Sequence, residues 1–160
     1  MRTITFKQIE KKAQNRIALI LRKTIHFSLL HRLMPKNQLQ VLVALVGLKK
    51  MSQLNFQFRG KDTPTDILSF PTSEPFFSQG NIGELIICFP ILVQQAQGLK
   101  HSIFEELDVL LIHGFLHLLG FDHEKDLQEA QKMARWEKKL LQSLRRKNQG
   151  LIQRGLSVNE

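Results

Sequence analysis

The chain has 160 residues, 42% of them hydrophobic and 23% charged, the ordinary balance of one globular domain. A chain of this length buries about two thirds of its unfolded surface and needs no disulfide staples. Cys88 is the only cysteine, which excludes a disulfide framework and a four-cysteine metal site, and the formal charge of +9 favours a polyanionic partner.

In chain order, residues 2–6 alternate with β-branched side chains and predict a short first strand. Ile9, Ala13, Ile17, Ile20, Leu21 and Ile25 recur at helical spacing, predicting a helix over 9–30 that ends before Pro35. The run LQVLVALV at 39–46 reads as a buried strand, and 49–58 as a short helix. Gly60, Asp62 and Pro64 make a turn in which Thr65 or Asp66 can bond nearby backbone amides. A strand over 67–70 stops at Pro71, a loop covers 73–80, and a strand over 82–88 leads into a helix over 89–99.

Ser102 followed three residues later by Glu105 is a capping box, opening a helix apolar nearly all round and therefore central and buried. A last helix over 126–144 turns Leu127, Ala130, Met133, Ala134, Leu140, Leu141 and Leu144 inward. The tail at 145–160 is basic and without clear pattern. Four strands interleaved with about five helices make a single α/β (or α+β) domain over 1–144, its sheet small and its metal helix central.

The first sixteen residues lack the continuous apolar core of a signal peptide, and the apolar stretch at 17–30 is broken by Arg22, Lys23 and His26. With one thiol and no such segment, a cytoplasmic, reducing setting is expected. The charge is unevenly spread. Residues 1–36 hold nine basic side chains against Glu10, and 132–154 hold eight against Glu137. The middle, 62–129, has eleven acids and only Lys100 and Lys125 as bases. Single basic runs are usually solvated helix faces, but two flanks around an acidic, histidine-bearing centre suggest a nucleic acid held while chemistry occurs between them.

That centre is HGFLHLLGFDH, His113 to His123, with three of the six histidines. His113 and His117, spaced i, i+4, share one helical face. Gly120 sits where a helix can end in the left-handed conformation and turn His123 back to the same point. Three converging imidazoles leave a fourth tetrahedral position open, as catalytic zinc sites do. The spacing H-x-x-x-H-x-x-G-x-x-H is that of the metzincin proteases, which place a glutamate general base after the first histidine. Here that residue is Gly114, so a peptidase would need another base, with Asp122 and Glu124 as candidates. A glycine inside a helix costs about 1 kcal/mol against alanine, which signals close packing at that point.

LNFQFRGKDTPTDILSFP (54–71), the strand IGELIIC and HGFLHLLGFDH together resemble the YbeY endoribonucleases, bacterial rRNA maturation factors, over about residues 50–140. The resemblance implies an α/β domain with a small mixed sheet and one zinc held by His113, His117 and His123. It implies single-strand-specific RNA cleavage in maturation of the 3′ end of small-subunit (16S) rRNA and in ribosome quality control. It also implies a catalytic arginine at Arg59. Two positions depart from the family: Gly83-Glu84-Leu85 where Gly-Asp-Ile is commoner, and Phe121 where a tyrosine is usual.

The chemistry is compatible with that likeness. Neutral imidazoles leave the metal's double charge uncompensated, available to polarise a phosphoryl oxygen or acidify a water. Arginine grips phosphate oxygens with a planar fork. Arg59 could equally be a surface residue, and His26, His31 and His101 have no partners at ligand spacing. The rival from another class is a zinc-stabilised, inactive RNA- or ribosome-binding factor. Its metal would be closed by a fourth protein ligand, for which Cys88 is the only thiolate.

Overall fold

The computed structural model describes residues 6–31, 33, 40–73, 80–123 and 126–153, with backbone alone at 6–10 and 146–153. The elements run α1 (Phe6–Leu30), β1 (Gln40–Val46), α2 (Leu48–Arg59), β2 (Ile67–Pro71), β3 (Asn81–Cys88), α3 (Phe89–Gly98), α4 (Ile103–Leu118) and α5 (Leu127–Gln153). All five expected helices and three of the expected strands are present. The fourth strand, expected at 2–6, lies outside the described residues except for Phe6, which opens α1.

The described sheet is three-stranded and mixed, in the order β1-β3-β2, with β1 parallel and β2 antiparallel to β3. Ile67 faces Ile87 and Pro71 faces Gly83 across the antiparallel pair. One face of the sheet, with Ile67, Ile82, Leu85 and Ile87, packs into the large core shared by α1, α4 and α5. The other face carries a smaller cluster of Met51, Leu68 and Cys88, covered by α2 and the start of α3.

β1 is not the buried strand its composition suggests. Among the described residues it is an edge, and Leu42 is 58% exposed. Its alternate residues Val41, Val43 and Leu45 pack on the large core. On the opposite face only Val46 reaches the smaller cluster, because α2 covers just the end of the strand. At the other end of the chain, the tail expected from Arg145 continues α5 as helix to Gln153. Leu127, expected inward, is the first residue of α5 and is exposed.

α4 is the central element. Its N-terminus carries the complete capping box: Glu105 N–H donates to Ser102 Oγ at 3.2 Å, and Ser102 N–H donates to Glu105 Oε2 at 2.9 Å. These bonds to Ser102 hold the Glu105 carboxyl below its ordinary range. Leu107, Leu111, Ile112, Phe115 and Leu116 are fully buried, so the helix is enclosed by α1, α3, α5 and the sheet. Arg16 of α1 locks onto it with a fork on Asp108, Nε to Oδ1 at 2.8 Å and a second nitrogen to Oδ2. Burial pushes the Asp108 carboxyl up, and the Arg16 guanidinium pulls it back. No helix among the described residues is long and apolar enough to cross a membrane.

Gly114 sets how closely α4 lies on the sheet. A Cβ there would stand 2.6 Å from Ile67 Cδ1 and 2.8 Å from Leu85 Cδ2. The helix glycine is therefore a packing device, as the sequence predicts. Gly114→Ala gains up to about 1 kcal/mol of helix propensity but overpacks a buried contact, which typically costs about 1–3 kcal/mol. The expected net result is a less stable protein, seen as a lower urea midpoint with an unchanged slope.

Candidate metal centre

The two helical ligand candidates follow from the i, i+4 register of α4, and the third from how α4 ends. Gly120 has φ +85°, the left-handed turn that glycine adopts at little cost. Its N–H donates to His117 O at 3.0 Å and the Phe121 N–H to Leu116 O at 3.1 Å, the paired bonds of a Schellman motif. Phe121 packs back into the core beside Leu116, and the reversed chain brings His123 alongside the helix.

The three rings form a nearly equilateral triangle, with centroids 4.7 Å (His113–His117), 5.1 Å (His113–His123) and 4.9 Å (His117–His123) apart. One ring nitrogen from each lies within 4.8 Å of the others, so the cluster could hold a metal ion. His113 Nε2 and His117 Nε2 are 3.2 Å apart. Two nitrogens on one tetrahedral ion, each about 2.0–2.1 Å from it, stand about 3.3–3.4 Å apart. The pair is close to that spacing.

Glu137 of α5 fixes the tautomer of His113, and the sequence alone did not single it out. Its Oε1 lies 2.6 Å from His113 Nδ1. An ionised carboxylate only accepts, so Nδ1 carries the proton and Nε2 turns its lone pair to the cluster. The pKa of His117 is lowered, by burial first and then by His113 and His123, against Asp122 and a Phe121 backbone hydrogen bond. Neutral imidazole is the form a metal needs.

The cluster opens onto a cavity of about 570 Å³ whose wall also carries Arg59, Lys61 and Asp66. Arg59 ends α2, and Gly60, φ +69°, turns the chain toward the cavity. Asn55, buried in α2, donates to Thr63 O at 2.6 Å and so ties the following loop down. Asp66 is consumed in organising that loop. It accepts from Thr65 Oγ1 (3.1 Å) and Ile67 N–H (2.8 Å) through Oδ1, and from Gln95 Nε2 (3.1 Å) through Oδ2.

Of the two carboxylates named as substitute bases, Asp122 lines the cavity and Glu124 lies outside the described residues. Gly114 itself offers no base, and any side chain there would first have to displace the Ile67 and Leu85 methyl groups packed against it. Cys88 is not part of the cluster. It is buried with Met51 and Leu68 in the smaller core on the other sheet face, and burial raises its thiol pKa. The histidines without ligand spacing stay outside as well: His31 stacks with Phe27 and Trp136, and His101 stands 3.4 Å from Glu106.

Three imidazoles with no fourth protein donor among the described residues, facing a cavity whose wall carries Arg59 and Lys61 beside Asp66 and Asp122, have the arrangement of a metal-dependent hydrolase. The comparisons agree. The family model for Endoribonuclease YbeY matches residues 3–145. Endoribonuclease YbeY of Thermodesulfovibrio yellowstonii is 45% identical over 111 residues, covering 67% of this chain and 68% of that protein. Endoribonuclease YbeY of Acinetobacter baumannii is 38% identical over 114 residues, covering 68% and 72%. The solution structure of a Thermotoga maritima protein matches with a TM-score of 0.54 and 28% identity, over 91% of this chain and 89% of that one. The chain belongs to the endoribonuclease YbeY family.

Outer partners that orient a metal-binding histidine typically contribute 10- to 100-fold in metal affinity. Glu137→Gln should therefore weaken zinc binding about 10- to 100-fold in a chelator competition titration while leaving the thermal melt of the metal-free protein in place. Unchanged affinity would reduce the Glu137–His113 bond to a surface contact.

Proposed function

We propose that this protein is a zinc-dependent endoribonuclease that cuts single-stranded RNA, with His113, His117 and His123 holding one zinc ion and Arg59 acting on the reacting phosphate. The observation that carries this is the shared cavity: Arg59, distant in sequence, lines the same 570 Å³ space as the three imidazoles. When bound, the zinc supplies Lewis-acid charge at the reacting phosphate. The chain's own groups do the rest. Arg59 engages the phosphate oxygens and stabilises charge that develops on them, a role its fork serves better than an ammonium. Lys61, on the same wall, adds a point charge that draws the backbone in. Glu137 keeps His113 in its metal-binding tautomer.

The substrate within the cell is proposed to be small-subunit rRNA near its 3′ end, with the ribosome as partner and the cytoplasm as setting. Family membership supports this, and so does the charge distribution. The two basic flanks of the sequence are neighbours in space, because α1 packs against α5. Lys11, Lys12 and Arg22 are exposed on the first helix, and Arg135, Lys138 and Lys139 on the last. An inactive metal-stabilised factor has lost its proposed fourth ligand, since Cys88 sits across the sheet from the imidazoles.

The test is incubation of the zinc-loaded protein with matched single- and double-stranded RNAs, with the product termini identified. Cleavage confined to single strands is expected; cutting of neither substrate overturns the proposal. His117→Ala should lose the zinc, measured by elemental analysis. Arg59→Ala should keep zinc and melting temperature but slow single-turnover cleavage on the order of 100- to 1,000-fold. Arg59→Lys should recover only part of that. Near-normal cleavage by the alanine variant would make Arg59 a bystander.

RNA affinity should also fall steeply with salt. The expected slope of log K against log salt is about −0.7 per phosphate contacted. A flat response in a filter-binding titration would show that the basic helices do not carry the RNA.

A further inference from the structure

β2 is an edge strand among the described residues, and two of its residues, Ile67 and Ser69, line the cavity that holds the imidazoles. The hydrogen bonds to β3 say which main-chain groups point outward. Cys88 N–H donates to Asp66 O at 2.7 Å and Thr72 N–H to Ile82 O at 3.2 Å, so the even-numbered residues of this segment face β3. Ile67, Ser69 and Pro71 therefore turn their main-chain groups away from the sheet, where Pro71 is tolerated because its missing N–H is not needed.

Of the outward groups, the Ile67 N–H is already taken by Asp66 Oδ1 at 2.8 Å. What the edge offers beside the imidazoles is thus Ile67 C=O, Ser69 N–H and Ser69 C=O. Neither Ser69 main-chain group has a partner among the described residues. The row reads acceptor, donor, acceptor on a rigid strand held in place by the Gly114 contact.

From this we infer that the free edge of β2 binds the Watson–Crick edge of an unpaired nucleotide flanking the scissile phosphate, and thereby selects single strands. The inference rests on the endoribonuclease reading above and supplies a physical cause for its strand preference. Every nucleobase carries a donor next to an acceptor on that edge, in one order or the other. The closely spaced N–H and C=O of Ser69 match such a pair, and a base turned over presents the other order, so any base can bond to both. In a duplex the same base atoms are occupied by the opposite strand and cannot reach the row. The device therefore reads unpairedness more than base identity.

A peptide adding to the edge as an extra strand is the other occupant such a strand invites. It is disfavoured here. A paired peptide needs a run of outward N–H groups, and this edge has one, with Ile67 capped and Pro71 lacking its own.

The decisive experiment uses the unaltered, zinc-loaded protein and a single-stranded RNA with one cleavage site. Adenosine is placed at each nucleotide flanking the cleaved bond in turn, then replaced by 1-deazaadenosine or 7-deazaadenosine. The first lacks the Watson–Crick acceptor and the second the Hoogsteen acceptor. At one flanking position 1-deazaadenosine should lower kcat/KM by about 3- to 10-fold, the loss expected for one hydrogen bond, and 7-deazaadenosine should not. In parallel, Ser69→Pro removes the outward N–H without touching the ladder to β3, and Ser69→Ala removes only the hydroxyl. The proline variant should fall below the alanine variant by a similar factor and should no longer distinguish 1-deazaadenosine from adenosine.

Equal cleavage of all three substrates at both positions overturns the inference even if the proline variant does not fold. So does competition of RNA cleavage by a short extended peptide. If the unaltered protein cuts no RNA, the endoribonuclease reading fails first, and that result is distinct from cleavage indifferent to base edges.

Discussion

The contact between Gly114 and β2 is the constraint on which the site depends. With no side chain at 114, α4 settles until Ile67, Leu85 and Ser69 occupy the space a Cβ would fill. That approach places the neighbouring histidines of α4 beside the strand edge and the loop carrying Lys61 and Asp66. The same close contact sets a packing cost on any side chain at the position where a protease helix carries its glutamate. One missing methyl group thus supports the architecture and sets the chemistry. The rest of α4 is immobilised to match, by its capping box at one end, the Arg16 fork on Asp108 along its length and the Schellman turn at the other.

Electrostatically the site is assembled from groups that need one another. Burial and its two imidazole neighbours lower the pKa of His117, and Glu137 orients the ring of His113 through Nδ1. Neutral ligands leave a bound dication with its full charge. Arg59 and Lys61 add positive charge to the wall, which Asp66 and Asp122 share. Asp66 has both oxygens engaged by Thr65, Ile67 and Gln95, so its charge is spread into the loop it organises.

Much of this was legible in the sequence because it is local. The i, i+4 histidines, the glycine three residues on and the Ser102–Glu105 box each specify geometry within a turn or two, and the structure has all three. Gly114 was legible as a packing signal because a helix tolerates glycine only for a reason. What escaped depends on contacts between distant segments. Glu137 meets His113 from another helix; its one sequence signal is that it is the only acid in the basic stretch 132–154. Asn55 carries no local signal, since its role lies in the bond to Thr63 beyond the helix end. β1 looked buried because β-branched composition cannot tell a central strand from an edge strand packed on one face.

The orientation of the helices explains why cations gather where a phosphate must bind. Phosphate sites are commonly built at helix N-termini, whose free N–H groups and dipole attract anions. Here two helices bring their other ends to the cavity: α4 with His117 in its last turn, and α2 ending at Arg59. A helix C-terminus carries roughly half a negative charge, which favours a metal ion and a guanidinium but repels a phosphate. The anion must therefore be held by the cations those ends collect, not by the backbone that presents them. A main-chain row on β2 is then suited to the base and not to the phosphate. If the chain cuts RNA as proposed, the division of labour is that helix ends concentrate positive charge for the RNA backbone and the neutral strand edge is left to the base.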